Sequence, residues 1–168
     1  EQAYGSSTKT QNLTVEAVWD GTHIDLRNSV AQVSSDNYAE LGADIDFFEE
    51  RIELKFEDSN IIAYEESWNF ANNNKVTFTK EKIVIDSLNI SNMDQSLGFN
   101  GAIAIEKDSL ETMTVNFNQL EVKNINAVTA QTYEGLLNGE LIAQNLLFDP
   151  LFFGNLTVDE LNINDFLV

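Results

Sequence analysis

Apolar residues fall on nearly every second position through most of the chain, and the rhythm is most regular over residues 94–163. Leu97, Phe99, Ile103 and Ile105 share one parity, as do Met113, Val115 and Phe117, then Leu120 and Val122, then Leu137 and Leu141. Alternation at period two sends successive side chains to opposite faces of a strand, so each run predicts a strand with one apolar face. So many runs in succession predict a long sheet that is greasy on one side. Those eleven residues are its expected apolar lining.

The same grammar begins earlier. Leu13, Val15 and Ala17 lead to Trp19 and an Asp20-Gly21 hairpin signal, with Ile24 and Leu26 on the return strand. Leu41, Ala43, Ile45 and Phe47 precede Ile52, Leu54 and Phe56, with Glu49-Glu50-Arg51 as punctuation. Trp68 and Phe70 share a face ahead of a tight turn at Asn72-Asn73-Asn74, and Val76, Phe78, Ile83 and Ile85 follow. From Ile85 to Leu88 the interval is three, so the apolar face would flip unless a β-bulge absorbs one residue. Pro150 suits a break between strands or an edge position. Residues 124–131 resist the pattern and read as a short helix or a looping edge segment. Gly101, Gly135 and Gly139 lie inside strand-like runs, where glycine marks a bend or a close approach of another backbone.

Roughly 10 to 13 strands fit a chain of this size. Residues 1–11 read as a polar linker or frayed lead-in, and residues 12–168 as a single all-β segment. Rhythm alone fits a sandwich, a barrel or a solenoid-like stack equally well.

Composition narrows the function. Nine Lys and Arg against 28 Asp and Glu give a net charge of −19, which repels nucleic-acid phosphates and excludes that class of partner. The ordinary role of such charge is a solvated outer surface that keeps an apolar-faced sheet in solution. There is no cysteine, hence no disulfide and no thiolate metal site. The longest apolar runs are far below the roughly 20 residues of a spanning helix. The chain opens on Glu1-Gln2-Ala3 without an initiator Met or a signal-like segment, and so reads as a mature form or a piece of something longer.

No motif for catalysis or metal binding stands out. The single histidine, His23, has neither a nucleophile elbow nor a cluster of ligands with it, and reads as a surface residue beside a turn. Carboxylates are so abundant that chance pairs are assured, and no motif singles out an acid and a base. Asp44-x-Asp46 and Asp159-Glu160 offer oxygens without an EF-hand pattern. No glycine-rich phosphate loop is present. Asn12, Asn89 and Asn155 begin glycosylation-type triplets of the kind an Asn-rich chain produces by chance. The reading is non-enzymatic, with no catalytic residues, no metal and no cofactor.

Residues 85–165 resemble a family. The features that carry the likeness are Phe99-Asn100-Gly101 ending one stretch, an acidic turn near Lys107-Asp108, the Leu120 to Val122 strand and Gly135-x-x-x-Gly139. Phe148-Asp149-Pro150 and the closing Leu-Thr-Val-x-x-Leu-Asn-Ile-Asn from Leu156 to Asn164 complete them. Together they are similar to the TamB family, the translocation and assembly module subunit of Gram-negative envelopes within the AsmA-like group. The resemblance covers nearly half the chain. It implies a β-taco, a long sheet curled into an open apolar trough, with a closed β-sandwich or solenoid as the alternative.

It further implies a periplasmic segment of an inner-membrane-anchored protein, the anchor lying outside this chain. The implied cargo is phospholipid, or a hydrophobic segment of an outer-membrane protein, moved toward an outer-membrane barrel partner. The alternative function is a structural or adhesive β-domain with a closed core.

Overall fold

A computed structural model describes residues 10–32, 37–57, 59–63, 66–107, 110–123, 132–164 and 166–167. The strands are β1 (Thr10–Asp20), β2 (His23–Gln32), β3 (Tyr38–Phe47), β4 (Ile52–Phe56), β5 (Asn60–Ala63), β6 (Glu66–Phe70) and β7 (Lys75–Phe78). They continue as β8 (Lys82–Asn92), β9 (Gln95–Ala104), β10 (Thr112–Glu121), β11 (Tyr133–Gln144), β12 (Leu151–Ile163) and β13 (Phe166–Leu167). All thirteen belong to one sheet, in the order β1-β2-β3-β4-β7-β8-β9-β10-β11-β12-β13. Every pairing is antiparallel.

β5 and β6 stand beside that path. β3 pairs β4 through residues 43–47 and β5 through residues 38–40, so β4 and β5 are two halves of one interrupted strand. β6 and β7 are likewise two halves of the next, both pairing β8. The result is an up-and-down meander. Extensive close backbone contacts occur only between hydrogen-bonded neighbours among the described residues.

Two buried polar side chains repair the interruptions. Where β4 gives way to β5, the Ser59 hydroxyl accepts from the Gly42 amide at 3.1 Å and donates to the Gly42 carbonyl at 3.3 Å. Between β6 and β7, the fully buried Asn74 accepts from the Phe56 amide at 2.7 Å. Its Nδ2 donates to the Phe56 and Ala71 carbonyls at 2.9 and 2.5 Å. Each side chain takes the place of a ladder bond that the broken strand cannot make, which keeps buried backbone groups satisfied. Phe56 and Phe70 stack beside the gap with centroids 4.4 Å apart.

From β8 onward the strands stay continuous and shift register by single extra residues. The expected bulge lies between Ile85 and Leu88, with Ser87 in the left-handed region at φ 56°. Further register shifts contain Asn12 in β1, Gln119 in β10 and Glu160 in β12, all with positive φ. Two interior glycines accommodate these shifts. Gly101 and Gly139 have φ of 130° and 126°, and a Cβ at either would strike a neighbouring backbone carbonyl, of Thr112 or Asn155. Gly42, the break marked by Glu57 and Ser59, the break at residues 71–74, the Ser87 bulge and Gly101 fall opposite one another in register. They form one line of weakness crossing the strands from β3 to β9.

The Gly21-Thr22 turn, the Asn72-Asn73 turn and the break before Leu151 match expectation. β1 opens at Thr10, so Thr10 and Gln11 belong to the sheet rather than to the lead-in. Residues 1–9 and the ambiguous stretch 124–131 lie outside the described residues.

Candidate functional site

Directly paired residues share a face, so register shows which side chains gather. Leu88, Phe99, Val115, Leu141 and Gly154 form one row across β8 to β12. Ile90, Leu97, Phe117, Gly139 and Leu156 form the next, and Leu120, Leu137 and Val158 a shorter third. Gly101, Met113, Ala143 and Phe152 form a fourth, flanked by the Ile83–Ile103 pair. Nine of the eleven expected lining residues therefore lie on one face.

Two do not sit in a strand as expected. Ile105 follows the last residue of β9, where the chain turns and leaves the side chain 40% exposed. Val122 lies in a tight turn after β10. In both cases alternation runs one residue past the end of the ladder, because parity carries no signal for where pairing stops.

The same face extends through the first half of the molecule. Trp19, Ile24, Ile45, Leu54, Val76 and Ile85 form one row, and Ala17, Leu26, Ala43 and Phe56 another. The apolar surface is thus continuous from β1 to β12. The alternation of residues 13–56 carries the same signal, which extends the apolar lining beyond the eleven expected residues. The opposite face is polar through most of its area, with Asp44 beside Lys55, Asn100 beside Thr114 and Asn116 beside Glu140.

Burial on the apolar face is uneven. Met113 is only 3% exposed, and Ala43, Val76 and Ala143 are also buried. Most of the remaining lining is half-buried, while Trp19 and Phe152 at the two ends are exposed.

A polar cluster interrupts the apolar face near the ends of β6, β8, β9 and β10. The Glu66 carboxylate accepts from Asn92 at 2.9 Å, from Gln95 at 3.1 Å and from the Lys123 ammonium at 2.9 Å. Lys123 also pairs with Glu121, and these two partners, Glu121 foremost, raise its pKa above the ordinary lysine value. Glu66 and Lys123 are joined although β8 and β9 run between β6 and β10.

On the opposite face His23 faces two carboxylates of β3, Nδ1 to Asp46 at 2.9 Å and Nε2 to Asp44 at 3.5 Å. The Asp46 hydrogen bond is the main cause of its raised pKa, with Asp44 and Asp25 adding charge. Among the described residues no group of three or more His, Asp or Glu side chains is arranged to hold a metal ion. Among the described residues the surface hollows are open, such as one of about 410 Å³ beside Lys123 and Glu160. No helix among the described residues is long and apolar enough to cross a membrane.

The chain has no significant match to a family model, to a curated protein or to a solved structure. What the residues and geometry define is a single antiparallel sheet with one continuous apolar face and one polar face.

Proposed function

We propose that the apolar face is the inner wall of an open trough that holds an extended hydrophobic chain. The cargo is a phospholipid tail or an apolar segment of an outer-membrane protein, carried across the periplasm without chemistry. The observation that carries this reading is the apolar row that runs from Trp19 in β1 to Phe152 in β12 along one face of a single antiparallel sheet. A sheet bent toward that face turns the row into a wall. The breaks, bulges and strand glycines supply the bending, because each adds local twist or removes ladder bonds. The Glu66–Lys123 ion pair, reaching past β8 and β9, agrees with strand ends that converge on that side.

Energetics favour a stripe over a pocket. Each CH₂ taken from water contributes about 0.8 kcal/mol without needing a directed contact, so a sliding acyl chain is held by area alone. Eleven tiers of strand spaced about 4.8 Å apart give a wall of roughly 50 Å, longer than an extended fatty tail and shorter than an envelope. The likeness to the TamB family supports the same cargo and the same periplasmic setting, with an outer-membrane barrel as the receiving partner. The −19 charge, concentrated away from the apolar face, keeps the outside wet.

Photo-crosslinking residues at Phe99, Val115 and Leu137 test this in cells. Lipid adducts well above those at the polar-face positions Thr114 and Asn116 are expected. Equal labelling at all five positions would instead indicate a covered core and a structural or adhesive role.

A further inference from the structure

We propose that the rim formed by the β1–β2, β3–β4, β7–β8, β9–β10 and β11–β12 turns rests on a zwitterionic phospholipid surface, with apolar side chains of the turns inserted among the headgroups. The proposal goes beyond the groove reading: it rests on the turns and stands whether or not the apolar face is open.

Topology collects these turns. In an antiparallel meander every second connection returns to the same rim, so the five follow one another at intervals of two strands, about 10 Å apart. Each carries or adjoins large apolar side chains, where turns ordinarily carry polar ones. Phe48, Leu110 and Leu147 are 46%, 74% and 58% exposed, Phe78 and Phe148 are exposed as well, and Trp19 stands beside the first turn. Among the described residues, the turns of the opposite rim expose only Met93 and Phe166 in this way. Phe47, Ile52, Phe78, Ile83 and Ile103 pair in one row, so the apolar face itself leads into this rim.

The arrangement suits a fluid surface better than a protein partner. The apolar tips are separated by charged residues, Glu49-Glu50-Arg51 in one turn, Lys80-Glu81-Lys82 at the next and Glu106-Lys107 in the one after. A protein partner is held by a contiguous desolvated patch, whereas headgroups close around each tip separately and leave the charges at the wet level. Arg51 lies over the Phe48 ring, 4.1 Å from its centroid, which keeps the guanidinium at the headgroup level when the ring is inserted. The Trp19 indole N–H donates to the Gly21 carbonyl at 2.6 Å, so that ring enters lipid without an orphaned donor.

Charge selects the lipid. Four of the chain's nine Lys and Arg, namely Arg51, Lys80, Lys82 and Lys107, lie at these turns, each next to an acid in sequence. Neighbouring charges of both signs match the phosphate and ammonium of a zwitterionic headgroup, while the −19 of the whole chain opposes an anionic surface.

The test is flotation of the full chain with phosphatidylcholine vesicles. Wild type is expected to float with them equally at low and high salt, and to float less at low salt when phosphatidylglycerol is added to the vesicles. The double variant Phe48→Ser/Leu147→Ser is expected to partition at least about tenfold more weakly, since two apolar side chains no longer leave water, while its binding of a soluble fatty acid is unchanged. A second measurement is independent of that variant. Phosphatidylcholine with brominated acyl chains is expected to quench tryptophan emission in wild type and not in Trp19→Phe, whose remaining indole, Trp68, is only 9% exposed. Wild type that does not float, that floats only with phosphatidylglycerol, or that keeps its quenching in Trp19→Phe would overturn the proposal. So would a double variant that floats like wild type, or a dimer in sedimentation that the double variant loses while vesicles are ignored, which would give the rim to a second copy. Rim-dependent flotation by a chain that binds no fatty acid would uphold the rim and remove the groove reading alone.

Discussion

The two halves of this sheet interrupt their ladders by different means. From β3 to β7 the strands are cut outright, and Ser59 and Asn74 supply by side chain the hydrogen bonds that the ladder loses. From β8 to β12 the strands run through, and single left-handed residues such as Ser87 and Gln119 take up the register shift beside glycines on the neighbouring strand. The first device depends on polar side chains inside the sheet, the second on backbone freedom. Asn138 shows the second device borrowing from the first, since its Oδ1 accepts from the Gln119 amide at 2.8 Å and so satisfies the bulge. Few apolar residues of this sheet are fully buried, so little core offsets a lost ladder bond.

Substitutions separate the two devices. The largest effect is expected at Gly139, where alanine meets both an unfavourable φ and the Asn155 carbonyl; Gly139→Ala should destabilise by about 3 kcal/mol in a denaturant titration. Asn74→Ala leaves the Phe56 amide and two carbonyls without their partner and should cost about 2 kcal/mol, also read by denaturant. Ser87→Val forces a β-branched residue into the left-handed region and should cost about 1 to 2 kcal/mol, whereas Ser87→Gly should stay within about 0.5 kcal/mol of wild type. If Ser87→Val were neutral, the β8 bulge would not be the rigid device described.

The smallest effect concerns the polar face. Asp46, with Asp44 and Asp25, raises the His23 pKa in the folded chain, so the protonated ring stabilises the β2–β3 pairing. That contribution is complete below the unfolded histidine value of about 6.5 and is lost as pH rises through the higher folded value. The melting temperature of wild type relative to His23→Gln should therefore fall as pH is raised above about 6.5 and be constant well below it.

Period-two alternation made the strands and their shared face legible, and the three-residue step from Ile85 to Leu88 made one bulge legible as well. The bulges at Gln119 and Glu160 were hidden, because the polar residues around them leave no break in the apolar parity. The split strands were hidden for a related reason. Val76 and Phe78 keep the pattern of a strand whether or not it is continuous with Trp68 and Phe70, and nothing in Asn74 as a letter distinguishes a turn residue from a ladder substitute. The Glu66–Lys123 pair joins residues 57 apart and belongs to tertiary geometry alone. Ile105 and Val122 each lie one residue beyond the strand that carries their parity, because parity carries no signal for where a strand ends.

Comparison of the two faces tests the central claim most directly. Titrating the folded chain with a fluorescent long-chain fatty acid, while following its cooperative unfolding, should give saturable binding that Val115→Lys abolishes and Asn116→Lys leaves intact. Absence of binding by the folded chain, or equal loss from both substitutions, would contradict the account.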